Sequence, residues 1–277
     1  MRTWKFAKGH GTLNDFVILR DRHCMLKLTD SDVRHLCDRR AGIGGDGLLR
    51  VTLASSIPEW DGDPDLWFMD YRNADGSIPQ MCGNGLRVFV RYLLEEGLDA
   101  GEEIQVATRA GLRHAWPQRD GRIRIDLGEV TCSDPELTIS SDGRQWPAIT
   151  VDVGNPHAVC FPGEDCPLDE IDLSHQPQWL PASAFPEGVN VEFVEVLAPD
   201  HIRMRVHERG SGETMSCGTG TVAAAAAHAR RLGLGEATVR VEVPGGTVEV
   251  DLCRGGAFLT GPAAIVAHGE AHLPDLP

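Results

Sequence analysis

The sequence predicts an α+β fold made of two similar halves. Three observations predict it. Many short apolar stretches alternate with Gly, Pro and Asp punctuation, which reads as strands. Only three segments carry a helical pattern. The chain also repeats itself at a fixed offset, so that Cys82 in one segment answers Cys217 in another, 135 residues later.

In chain order, strands are expected at Phe16–Leu19, Gly47–Val51, Trp67–Tyr71, Ile104–Thr108 and Ile123–Leu127. A second series follows at Ile149–Val153, Ala158–Phe161, Val189–Val196, Ile202–Val206, Thr238–Val243 and Thr247–Leu252. Helices are expected at Ser31–Cys37, Leu86–Glu96 and Thr221–Arg231. The last two each follow a Cys-Gly-x-Gly segment and stop at a glycine, Gly97 and Gly233. Many strands with few helices indicate α+β.

The repeat is ordered. Trp67–Tyr71 and its polar loop precede the first Cys-Gly-x-Gly; Ile202–Val206 and its polar loop precede the second. At the same offset Asn73 falls on Glu208. Gly11–Val17 and Asp152–Val159 match with a small gap. Two homologous halves are therefore expected: residues 1–126 with 263–277, carrying Cys82, and residues 127–262, carrying Cys217.

Composition narrows the function. The chain has 277 residues, 42% of them hydrophobic and 24% charged, enough for a true core. A formal charge of −15 argues against a nucleic-acid or anionic-lipid partner. The N-terminus lacks the apolar core of a secretory signal, and the most apolar run, Thr221–Ala229, is far below the ~20 residues of a membrane span. A cytoplasmic protein with reduced thiols is expected. The eight cysteines show no Cys-x-x-Cys and no zinc spacing, so no metal site is expected.

The paired cysteines carry the chemistry. The first N–H groups of a helix have no intrahelical partner and hold partial positive charge. A cysteine there has its thiolate stabilised, and the same N–H array holds a carboxylate. Two such thiols around one carboxylate suit proton abstraction at the adjacent carbon. One removes the proton from one face and the other delivers one to the opposite face, inverting the centre. The three lysines, Lys5, Lys8 and Lys27, all lie near the N-terminus, which disfavours a pyridoxal Schiff base. On the residues alone, a buried structural cysteine pair and a thiol redox couple stay open beside the acid–base pair. His157 reads as a loop histidine or an acid–base group. Glu208 reads as a partner of Arg209 or a site residue, and Asn14, Asn73, Asn155 and Asn190 as turn formers or ligand contacts.

The motif set resembles the diaminopimelate epimerase family. The segments are Gly11–Phe16, Asp70–Gly76, Gln80–Gly85, Gly154–His157, Gly188–Asn190 and His207–Gly220, in that order along nearly the whole chain. The resemblance implies two pseudo-symmetric halves, each a mostly antiparallel sheet curled around a central helix, with the active site in the cleft between them. It implies a cofactor-independent epimerase that interconverts LL- and meso-2,6-diaminopimelate, serving lysine and peptidoglycan precursor synthesis, as a homodimer. By matching positions, Cys82 and Cys217 are the acid–base pair and His157 and Glu208 tune them. Asn14, Asn73, Gly83, Asn84, Asn155, Asn190, Glu208, Arg209, Gly218 and Thr219 bind substrate. The alternatives are a racemase of the same fold for another amino acid and a non-catalytic thiol-redox or ligand-binding protein. One departure stands out: many family members carry Gln where this chain has Gly47.

Overall fold

The computed structural model describes residues 2–133, 136–163 and 165–273. It forms two compact units, residues 1–125 with 262–277, and residues 126–261. Both are α+β.

The first unit is a sheet in the order β19 (Ala264–Leu273), β1 (Arg2–Gly11), β2 (Asn14–Arg20), β3 (Gly47–Leu53), β4 (Trp67–Asn73), β5 (Ile104–Thr108), β6 (Gly111–Pro117) and β7 (Ile123–Gly128). Pairs β2/β3 and β4/β5 are parallel and the rest antiparallel. Phe16, Val17, Ile18 and Leu19 are all fully buried, so β2 is covered on both faces. Each such side chain contributes about 1.5–3 kcal/mol through burial. Helix α1 (Asp30–Cys37) is started by a Thr29–Asp32 capping box and packs Val33 and Leu36 onto Val17, Leu19 and Leu48. Helix α2 (Gly83–Glu95) is buried along most of its length and packs against β1, β2, β3, β4 and β19.

The second unit repeats this plan. Its sheet runs β8 (Thr131–Ser133), β10 (Arg144–Asp152), β11 (Pro156–Cys160), β13 (Asn190–Ala198), β14 (His201–Glu208), β16 (Ala237–Val243), β17 (Gly246–Cys253) and β18 (Gly256–Gly261). Pairs β11/β13 and β14/β16 are parallel and the others antiparallel, the same senses in the same order. Short β15 (Gly212–Thr214) pairs with β14, and β9 (Thr138–Ser141) and β12 (Gln178–Leu180) form a side ribbon with the start of β10. Helix α3 (Gly218–Arg231) packs against β10, β11, β13, β14, β16, β17 and β18, burying its alanines.

Every strand expected from the sequence is present, its ends matching or shifted by no more than five residues. Several strands were not expected, chiefly β1, β6, β18 and β19. β1, β6 and β19 are half-exposed and interrupted by Gly, Lys, Arg or His, which dilutes the apolar pattern, and β18 is short and bounded by glycines. Helices α2 and α3 begin three residues earlier than expected, at Gly83 and Gly218. The cysteine before each is the N-cap, which draws the glycines into the first turn.

Candidate active site

In the first unit the site gathers around Cys82. Its backbone is extended (φ −143, ψ 117), and Gly85 N–H donates to its Sγ at 3.3 Å, so the sulfur itself caps α2. Asn14 Oδ1 lies 3.9 Å from this sulfur and accepts from Asn84 Nδ2 at 3.2 Å. Asn14 sits directly after the hairpin turn Thr12–Leu13, where both residues have positive φ (50 and 60), a conformation that non-glycine residues seldom adopt. Its Nδ2 donates to Asp46 Oδ2 at 2.7 Å, which aims the carbonyl end toward Cys82. Asp46 is held in turn by Arg39 at 2.7 Å, and Arg39 and Lys8 both grip Asp15. Burial pushes the Asp15 carboxyl up, but these two cations outweigh it and hold it well below the carboxylate range.

Asn73 ends β4 and is occupied otherwise. Tyr71 Oη donates to its Oδ1 at 2.7 Å, and its Nδ2 donates to Ser77 Oγ at 2.9 Å. No hydrogen bond joins it to Cys82 among those described. It lies opposite Gly47 in the β3/β4 register. A Cβ at Gly47 would fall 2.6 Å from Arg72 O and 2.7 Å from Tyr71 Cε2. The Tyr71 ring thus occupies the space a side chain at position 47 needs, which accounts for glycine there.

In the second unit the residues gather more tightly. Cys217 is extended (φ −120, ψ 118) and accepts from Gly220 N–H at 3.4 Å; Thr219 Oγ1 is 3.6 Å from its sulfur. Asn155 Nδ2 donates to Thr219 Oγ1 at 3.4 Å, and Asn155 Oδ1 meets His157 Nε2 at 3.1 Å. Asn190 ties this group together: Nδ2 donates to Pro156 O at 3.1 Å, and Oδ1 accepts from Arg209 N–H at 3.0 Å. The Arg209 side chain turns away and packs on Gly188. Glu208 accepts from Thr214 Oγ1, not from Arg209. Burial pushes the Glu208 carboxyl up. Burial, then the charges of Glu208 and Glu192, push the Cys217 thiol well above its ordinary range, so it rests protonated.

Glu192 was not singled out by the sequence. It sits fully buried in β13, and its Oε1 lies 2.6 Å from His157 Nδ1 in a hydrogen bond, with His157 also fully buried. A Cβ at Gly220 would meet the same Oε1 at 2.7 Å, so glycine lets this carboxyl approach the start of α3. Burial raises the Glu192 carboxyl against the pull of His157. The available signal was a carboxylate inside the apolar run Val191–Val194. Asp46 and Tyr71 were missed likewise.

Gly83 and Asn84, like Gly218 and Thr219, form the first turns behind the two sulfurs, where backbone N–H groups suit a carboxylate. Among the described residues no cluster of His, Cys, Asp or Glu is placed to hold a metal ion. No described helix is long and apolar enough to cross a membrane.

A family model described as diaminopimelate epimerase matches residues 6–133 and 149–266. The diaminopimelate epimerase of Streptomyces coelicolor is 49% identical over 96% of this chain and 94% of its own length. That of Corynebacterium glutamicum is 48% identical over 98% of this chain and 99% of its own. In fold, a Bacillus anthracis PhzF-family phenazine biosynthesis protein matches with a TM-score of 0.75 at 17% identity, covering 99% of this chain and 100% of its own. A hydroxyproline epimerase from Agrobacterium vitis matches with a TM-score of 0.68 at 15% identity, covering 99% and 94%.

Proposed function

Because this chain belongs to the diaminopimelate epimerase family, we propose that it interconverts LL- and meso-2,6-diaminopimelate with Cys82 and Cys217 as its two acid–base groups. The enzyme is an isomerase that acts on a small amino acid. The observation that carries the reading is the repeated helix start: in each unit a cysteine sulfur caps the first turn and accepts its N–H.

A thiolate at one of these positions takes the Cα proton, and the thiol at the other returns a proton to the opposite face. Charge that develops on the substrate carboxylate is met by N–H groups of Gly83 and Asn84 and of Gly218 and Thr219. Asn14, Asn73, Asn155, Asn190, Glu208 and Arg209 hold the rest of the substrate. Asn73 keeps one amide hydrogen beyond the one given to Ser77. Glu208 tunes Cys217 directly, and His157 supplies the second tuning group. The reading carries with it a cytoplasmic homodimer and no cofactor.

Solvent deuterium uptake tests it. The reduced protein is incubated with meso-diaminopimelate in deuterated water without pyridoxal phosphate. The Cα proton should exchange and the LL isomer appear, and both should vanish in Cys82→Ala and Cys217→Ala. A folded, reduced protein that exchanges nothing would remove this substrate, and a panel of free amino acids would then seek a sister racemase.

A further inference from the structure

Asn73 closes β4 with both ends of its carboxamide engaged, in opposite senses. Tyr71 Oη donates to its Oδ1 at 2.7 Å, and its Nδ2 donates to Ser77 Oγ at 2.9 Å. The Ser77 hydroxyl in turn donates to Asp75 Oδ1 at 2.6 Å. The four side chains form one hydrogen-bonded chain, and its direction is set at the Asp75 end. A carboxylate can only accept. The Ser77 hydroxyl and then the Ser77 backbone N–H keep Asp75 ionised, holding its carboxyl below the usual carboxylate range. Ser77 has given its one hydroxyl proton to Asp75, so toward Asn73 it can only accept. The amide must therefore turn its nitrogen to Ser77 and its oxygen to Tyr71. Flipped, it would set two oxygens against each other with no proton between them.

The groups at either end are held by other contacts. Tyr71 and Asn73 are two apart in a strand and share a face. The Tyr71 ring meets Phe16 edge-on, with centroids 5.9 Å apart at 79°. It fills the notch at Gly47, where a Cβ would fall 2.7 Å from Cε2 and 3.4 Å from Oη. Arg34 Nη1 donates to the Asp75 carbonyl at 2.9 Å, and Ala74 N–H to the Asp46 carbonyl at 3.2 Å. Gly76 (φ +92) lies against α1, where a Cβ would come 2.8 Å from Asp30 Cβ. Neither the phenol ring nor the loop depends on the hydrogen-bonded chain for its place.

We propose that Tyr71 and Asp75 are positioning residues for substrate binding, which act through Asn73 from its two sides and hold its amide in one orientation before substrate arrives. The proposal rests on the reading above in which Asn73 holds part of the substrate. An unrestrained asparagine amide turns about a soft terminal torsion with two broad wells. Locked at both ends, the Asn73 amide has no wrong orientation to give up on binding. It offers one N–H and one Oδ1 lone pair, each at a fixed place. The effect falls on affinity and leaves the bond changes at Cα untouched.

The test uses variants of the whole chain that keep shape. Tyr71→Phe leaves the ring in its notch and removes only the hydroxyl. Asp75→Asn removes the carboxylate at an exposed position and keeps a turn-forming side chain. Each should raise KM for diaminopimelate by ~5-fold, with kcat within about 2-fold of the parent. In an Asn73→Ala background the same substitutions should change KM by less than ~1.5-fold, because the group they act through is gone. A parent KM in either single variant overturns the proposal, and so does an equal rise with and without Asn73. Asp75→Asn decides the matter if Tyr71→Phe does not fold. A second readout needs no substrate. The chain has two tyrosines, Tyr71 and Tyr92, so protein labelled with carbon-13 at the tyrosine Cζ gives two NMR signals, and Tyr71→Phe identifies the first. Asn73→Ala and Asp75→Asn should each shift the Tyr71 signal and leave that of Tyr92 in place. A Tyr71 signal that neither variant moves overturns the proposal even in a protein that turns over no diaminopimelate. Lack of turnover with both shifts present would strike the substrate reading alone.

Discussion

His157 and Glu192 meet at 2.6 Å with neither side chain exposed to solvent, from neighbouring strands that run parallel. A buried carboxyl beside an imidazole fixes the ring's orientation and lets the pair share one proton. The second carboxyl oxygen, Oε2, has no partner among the described residues. Glu192→Gln keeps the shape and removes the charge. The expected result is a kcat lower by roughly 10²-fold with KM little changed, since no substrate contact is lost. Steady-state epimerisation assays check this; unchanged kcat would leave the pair with a packing role only.

Glu208 gives a pH prediction with a definite sign. Its folded-state carboxyl is raised by burial above the ordinary glutamate value. From that value upward the folded protein binds more protons than the unfolded chain, so stability falls as pH rises through the raised value. Glu208→Gln removes this dependence. The melting temperature of the variant relative to the parent should therefore be higher at pH 8 than at pH 4. A difference that does not change with pH, measured by thermal scans at both, would count against the raised carboxyl.

Asp46 is expected to act through Asn14. It accepts from Asn14 Nδ2 at 2.7 Å and leaves the carbonyl end turned to Cys82. Asp46→Ala frees the amide to flip. KM should rise several-fold, about 1 kcal/mol for one lost hydrogen bond, with a smaller change in kcat. Measuring both constants decides it: a drop in kcat alone would place Asp46 in the chemistry.

Gly47 is expected to resist substitution. Its missing Cβ makes room for Arg72 O and the Tyr71 ring. Gly47→Gln should cost about 1–3 kcal/mol by overpacking and disturb Asn73 across the register. Urea denaturation gives the number. A variant with the parent's midpoint would show that β4 yields without strain.

By itself the sequence determined what can be read along the chain. Apolar alternation and turn residues located the central strands of both units, and the repeat of Cys-Gly-x-Gly located α2 and α3. The motifs also pointed to Cys82, Asn14 and Asn84, and to Cys217, Thr219, Asn155 and His157, which the structure joins by hydrogen bonds within each unit. Strands such as β1 and β19 escaped because each is half-exposed, and β19 completes the first sheet by pairing with a strand more than 250 residues earlier. Only the tertiary structure decided which charges are shared. Glu192 is one carboxylate among many until β13 pairs in parallel with β11 and sets it beside His157. Arg87 is one of 23 arginines until burial strips it of water and leaves it neutral partners. The reason is physical. Propensity and periodicity are local and act through a few neighbouring residues, whereas the cost of burying a charge depends on what distant strands bring to it.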